Sequence, residues 1–219
     1  MTGQTLQPEA TAAVAWVNGD AIVYAEYEQE MLLHRGTVAA DFVQRHGLVE
    51  GGDFWHTSRG GETAWEALKR ATLDAMVRIS VQRALMRENA IPGPKDYAAL
   101  LASWREENRR RSKALATGEV IYGPQQYSLV AARDYWFSNA VIALKRRLAE
   151  NRLVISEQEV RERYAALKAS GQPVGETFED GRKIIQRRIL DQRYESLIDS
   201  LVKEACVKIN GSAAAVSAR

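Results

Sequence analysis

A chain of 219 residues, 46% hydrophobic and 26% charged with a net charge of +2, has enough apolar content to bury a core, and its charge balance alone does not require nucleic acid or an anionic membrane. Its single cysteine excludes an internal disulfide and a cysteine-cluster zinc site. No apolar run reaches the roughly 18 residues of a membrane span, and the first residues lack the charged and apolar regions of an export signal, so a soluble chain is expected.

Residues 1–13 are small and polar and read as a flexible arm. Ala15-Trp16-Val17, Asn18-Gly19 and Asp20-Ala21-Ile22-Val23 read as a strand, a tight turn and an extended exit, because Asn-Gly tolerates positive φ. From Tyr24 the pattern is helical, with Tyr27, Met31 and Leu32 assigned to one face. Residues 47–61 carry five glycines with Trp55 and His56 and read as a long loop or hinge. Residues 62–89 form the clearest helix of the N-terminal half, with Trp65, Leu68, Leu73, Met76, Val77 and Leu85 on one stripe, stopped by Pro92-Gly93-Pro94. Asp96 is placed to cap a helix holding Tyr97, Leu100, Leu101 and Trp104. That helix runs into the charged stretch 105–113, and a loop at 118–124 presents Ile121 and Tyr122. A further helix spans about 128–150.

The last quarter has the most order. Ser156 is placed to cap a short helix, with Glu159 three residues on to return the bond. Gly171-Gln172-Pro173-Val174-Gly175 breaks that helix. A long one follows from Phe178 to Cys206, with Ile185, Ile189, Tyr194 and Ile198 on an apolar stripe. Val207-Lys208-Ile209-Asn210 alternates as a short half-buried strand would.

Chemistry-bearing residues are sparse. His34, His46 and His56 do not share the spacing that puts metal ligands on one helix face, and no phosphate-binding or Gly-x-Ser-x-Gly motif is present. Catalytic, metal and cofactor sites are therefore all expected to be absent. Cys206, between Ala205 and Val207, reads as a small buried thiol. The arginine-rich run 105–113 reads as a solvated helix face rather than a phosphate-binding one. The aromatic cluster Tyr122, Tyr127, Tyr135, Trp136 and Phe137 has two readings, a core face or a partly exposed surface for an extended peptide.

Several of these stretches, taken in order, resemble a known family. Val17-Asn18-Gly19-Asp20-Ala21-Ile22 before a helix is similar to the opening of SurA-type periplasmic chaperones and PrsA-type foldases. So are the helix ending Leu85-Met86-Arg87-Glu88-Asn89-Ala90-Ile91, the stretch Ile155-Ser156-Glu157-Gln158-Glu159-Val160 with Tyr164, and the closing Ala205-Cys206-Val207-Lys208-Ile209-Asn210. The resemblance spans most of residues 14–210. It implies a mainly α SurA-N-like helical chaperone module whose N-terminal strand pairs with the C-terminal strand, with 211–219 as a disordered tail. Family members commonly insert a parvulin-type prolyl isomerase after the helix corresponding to 156–167. Only residues 168–177 occupy that place here, too few for a domain.

The resulting expectation is a non-catalytic chaperone, extracytoplasmic by resemblance, binding unfolded or partly folded polypeptides and neither nucleic acid nor a small-molecule cofactor. Ile121, Tyr122, Tyr127 and Trp136 are its expected peptide-binding residues. The alternative is a structural or assembly protein that binds one folded partner or forms a homodimer.

Overall fold

Asn18 and Gly19 set the first feature of the fold. Both take positive φ, 51° and 94°, and fold β1 (Ala13–Val17) onto β2 (Asp20–Val23) in an antiparallel hairpin that pairs Val17 with Asp20. The structure, a computed structural model, describes residues 11–47 and 53–211. The expected arm, apart from its last three residues, part of the expected 47–61 loop and all but the first residue of the expected tail lie outside the described residues. Among those described, six helices and one three-stranded antiparallel sheet make the chain mainly helical. The helices are α1 (Tyr24–His46), α2 (Ala64–Glu88), α3 (Tyr97–Ala116), α4 (Leu129–Asn151), α5 (Glu157–Ala169) and α6 (Phe178–Glu204).

The third strand, β3 (Val207–Ile209), comes from the far end of the chain and pairs antiparallel with β1, Val17 opposite Val207 and Ala15 opposite Ile209, giving the order β2-β1-β3. Asn18 anchors this pairing twice. Its backbone N–H donates to the Cys206 carbonyl at 2.9 Å, and its side-chain oxygen accepts from the Cys206 N–H at 2.8 Å. At the other end Asn210 donates to the carbonyls of Val14 and Ala13.

The chain divides into two compact units, one from the described residues of Met1–Val81 and Leu201–Arg219, the other Gln82–Ser200. In the first, the sheet's inward side chains Val17 and Ile22 join Tyr27, Met31, Leu68 and Met76 in one apolar core. Tyr27 donates to the Lys69 carbonyl at 3.0 Å, and burial pushes its hydroxyl up to about 12. A satellite cluster surrounds Phe42, whose ring meets Phe54 edge-on. Helix α2 begins in a capping box the sequence reading passed over: the Thr63 hydroxyl accepts from the Glu66 N–H, and the Glu66 carboxylate accepts from the Thr63 N–H.

In the second unit, Val160 and Leu167 of α5 pack on Ile185 and Ile189 of α6. Tyr194 is fully buried; its hydroxyl accepts from Gln82 at 2.8 Å, and Lys145 lies 4.7 Å over its ring. Ser156 caps α5 as expected, accepting from the Glu159 N–H. The Glu159 carboxylate does not return the bond. Both of its oxygens accept from one nitrogen, Nη2, of Arg193 in α6 at 2.7 Å, because a charged guanidinium is a stronger partner than one backbone N–H.

Three other expectations are corrected. Cys206 is exposed, not buried, since it follows the end of α6 and precedes an edge strand. All three residues of β3 are exposed rather than half-buried, because it is an edge strand with β1 on one side only. Leu32 is 63% exposed, one helical step past Met31, which takes the core side.

The link between α5 and α6 is closely packed. Val174 is buried against both helices, and the Glu176 carbonyl accepts from the Tyr164 hydroxyl at 3.1 Å and from Lys168 at 3.2 Å. A Cβ on Gly181 would overlap the Val174 carbonyl oxygen and press on the Tyr164 ring. Gly181→Ala is therefore expected to cost about 3 kcal/mol despite alanine's better helix propensity, read as a lower urea midpoint.

Candidate functional site

The geometry around the end of α2 creates a concavity in the second unit. Helix α2 closes with Ala90 at φ 53°, its N–H bonded to the Arg87 carbonyl and the Ile91 N–H to the Met86 carbonyl. This is a Schellman turn with alanine in the left-handed position where glycine is usual. Pro92 then prevents the helix from resuming, and Pro92-Gly93-Pro94-Lys95 crosses to Asp96, which caps α3 by accepting from the Ala99 N–H at 2.8 Å. The turn, one face of α3 and one face of α4 enclose an open groove of about 920 Å³.

Trp136 and Ala140 line this groove together with Pro92 to Lys95. The same residues also border a narrower apolar recess, closed by Met86, Ile91, Leu100 and Phe137. Alanines at 99, 140 and 143 keep the groove open where larger side chains would fill it, so Trp136 stands as its one large aromatic wall. Arg83, Arg87, Lys95 and Arg133 bring positive charge to the recess, while Glu106 and Glu107 lie along the outer groove. An apolar floor with a charged rim can bury a side chain while keeping a peptide backbone in water.

The loop 117–128 is organised by α3. Arg111, only 6% exposed, donates to the carbonyls of Tyr122 at 3.0 Å and Pro124 at 2.7 Å, and its guanidinium lies 4.4 Å over the Tyr127 ring. Glu107 bonds it at 2.8 Å and also takes Arg110 at 2.8 Å; the bonds from Arg110 and then Arg111 lower the Glu107 carboxyl to about 2. The Tyr127 carbonyl accepts from Trp104 and Asn108, and its N–H donates to the Asn108 side chain. Ser128 then caps α4.

The four residues expected to bind peptide are thus divided. Trp136 lines the groove. Tyr127 directs its polar groups inward and stacks on Tyr135 at 6.1 Å, so it positions the loop. Ile121 is half-buried, whereas Tyr122 projects from the same loop 88% exposed. Ile121, Tyr122 and Tyr127 are not among the groove's lining residues. The stretch 105–113 is not uniformly solvated: Arg109 pairs with Glu106, Arg110 with Glu107, and Arg111 is buried. The sequence reading missed Arg111 and the Pro92–Lys95 turn as parts of a site. The Glu107 to Arg111 spacing of four residues was the only available signal for the clasp.

Among the described residues no group of three or more His, Cys, Asp and Glu side chains could hold a metal ion, and no helix is long and apolar enough to cross a membrane. No protein-family model matches the chain, and neither does any curated protein or solved structure.

Two outcomes follow from the clasp. Arg111→Met is expected to lose about 3 kcal/mol, because it strips two carbonyls of a buried charged donor, and to broaden the amide signals of residues 118–127 in NMR spectra. The folded carboxyl of Glu107 lies below its unfolded value of 4.5, so its stabilisation is present above about pH 4.5 and is lost as pH falls towards 2. Acid titration of Glu107→Gln should show a shallower loss of stability over that range than the parent chain.

Proposed function

We propose that this chain is a non-catalytic holding chaperone of the SurA/PrsA type, without the inserted isomerase, that takes apolar segments of unfolded polypeptides into the groove beside Trp136. The observation that carries the reading is this open, aromatic-walled concavity. Its alanine-lined face leaves room for varied side chains instead of one defined ligand. A client side chain burying about 100 Å² there gains roughly 2.5 kcal/mol at ~25 cal/mol per Å² before ordering costs. One such contact is weak, which suits capture followed by release.

The ordered resemblance of residues 14–210 supports the same reading, as does closure of the sheet by strands from both ends of the chain. The SurA-N-like form of the helical fold belongs to this proposal, and so does an extracytoplasmic location. The eight-residue link 170–177, packed on α6, is too short to hold an isomerase domain between α5 and α6, which supports the reading of a module that acts by binding.

A second reading has its own observation. Tyr122 stands 88% exposed on a loop that Arg111 holds in place, which is how an aromatic anchor is presented to one folded partner. Fluorescence anisotropy with several unrelated, permanently unfolded polypeptides separates the two. Chaperone function predicts binding in the micromolar range to most of them, weakened about tenfold by Trp136→Ala and little by Tyr122→Ala. No binding to any of them refutes it. A single folded partner whose capture depends on Tyr122 establishes the second reading.

A further inference from the structure

The three-stranded sheet ends in β3 on one side, and among the described residues no strand pairs with the outer edge of β3. In the β1–β3 pairing, Cys206 and Asn210 turn their peptide groups towards β1, as the bonds between Asn18 and Cys206 and from Asn210 to Val14 show. Lys208, opposite Trp16, shares their parity in the antiparallel ladder, so the peptide groups of Val207 and Ile209 point away from β1. These two residues are also exposed, 38% and 62%, and their apolar side chains share one face of the sheet. Lys208 emerges on the opposite face, and no carboxylate among the described residues pairs with it.

We propose that β3 is a docking edge for an extended polypeptide segment of the pattern apolar–acidic–apolar, which adds to the sheet as a fourth, antiparallel strand. The outward N–H and carbonyl groups of Val207 and Ile209 bond its backbone, and their side chains cover its two apolar residues. Its central residue faces Lys208 in a non-hydrogen-bonded pair, where opposed side chains come closest; a carboxylate there meets the lysine. The same geometry disfavours a second copy of this chain as occupant. A two-fold β3–β3 pairing that joins Val207 of each copy to Ile209 of the other would set Lys208 directly against its own counterpart. The short strand and its lysine also limit indiscriminate edge pairing, leaving a site for a matched segment.

This edge shares no residue with the groove beside Trp136, so either assignment can fail alone. The test uses the full chain and fluorescein-labelled octapeptides with a central Val-Glu-Val, a central Val-Lys-Val, or Val-Glu-Val methylated on the backbone nitrogens that bond the edge. The acidic peptide is expected to bind at least about fivefold more tightly than the lysine peptide and to shift the amide signals of residues 207–209; the methylated one should not bind. Lys208→Glu should reverse the charge preference. Ile209→Pro removes an N–H that β1 does not use, so it should abolish binding while the melting temperature holds. If that variant fails to fold, the charge reversal at exposed Lys208 decides the matter. Equal binding of all three peptides, an unchanged preference in Lys208→Glu, or self-association that blocks the acidic peptide would each overturn the assignment.

Discussion

The pairing of β1 with β3 is the constraint on which the first unit depends. It joins residues 15 and 209 and so closes almost the whole described chain on itself. The entropy of closing so long a loop grows only slowly with its length, so a modest set of bonds can hold it if they are well placed. Asn18 supplies two of them from one residue. Its left-handed backbone turns the hairpin and its side chain occupies the Cys206 N–H, which would otherwise be left at the end of the ladder. The hydrophobic core beneath the sheet then needs Val17 and Ile22 on one face and Leu68 and Met76 beneath them, an arrangement that exists only while the terminal strands stay in register.

The second unit uses a different device. Its groove is framed by a proline turn that cannot become helical and by faces of α3 and α4, while the loop that joins those two helices is tied down by a buried arginine. Arg111 serves two carbonyls, one carboxylate and one aromatic ring at once, so its desolvation is offset at every face. The groove has a wide opening and an apolar wall that the folded chain already holds in place. On the proposed reading that combination suits a holding chaperone, since a preformed apolar wall lowers the ordering cost of capture while a shallow site keeps dissociation fast.

The α5–α6 connection relates architecture to activity. Val174 fills the space between the two helices and Gly181 lets the backbone of the link lie directly on α6, so this turn is a structural contact in its own right. A domain inserted there would have to dismantle it. The open β3 edge, by contrast, uses backbone groups that no part of the described fold needs.

Much of the local structure was legible in the sequence because short-range chemistry dictates it. Asn18-Gly19 specifies the hairpin, Asp96, Ser128 and Ser156 specify helix starts, Pro92 specifies a stop, and the spacing of Ile185, Ile189 and Ile198 specifies the buried stripe of α6. The candidate site was only partly legible. Trp136 was selected, but so was Tyr127, a loop residue held by Asn108 and Trp104, 19 and 23 residues earlier in α3. Arg111 looks like its neighbours in a charged run, and nothing local marks it as buried. Cys206 and Val207 sit in an apolar stretch that composition alone assigns to a core, yet they form an exposed edge, because burial is decided by what packs across an element and not by the element's own residues. Periodicity, caps and turns were therefore determined by the sequence itself, while the groove, the arginine clasp and the open edge were decided by tertiary structure, where residues distant in the chain settle which backbone and side-chain groups remain unoccupied.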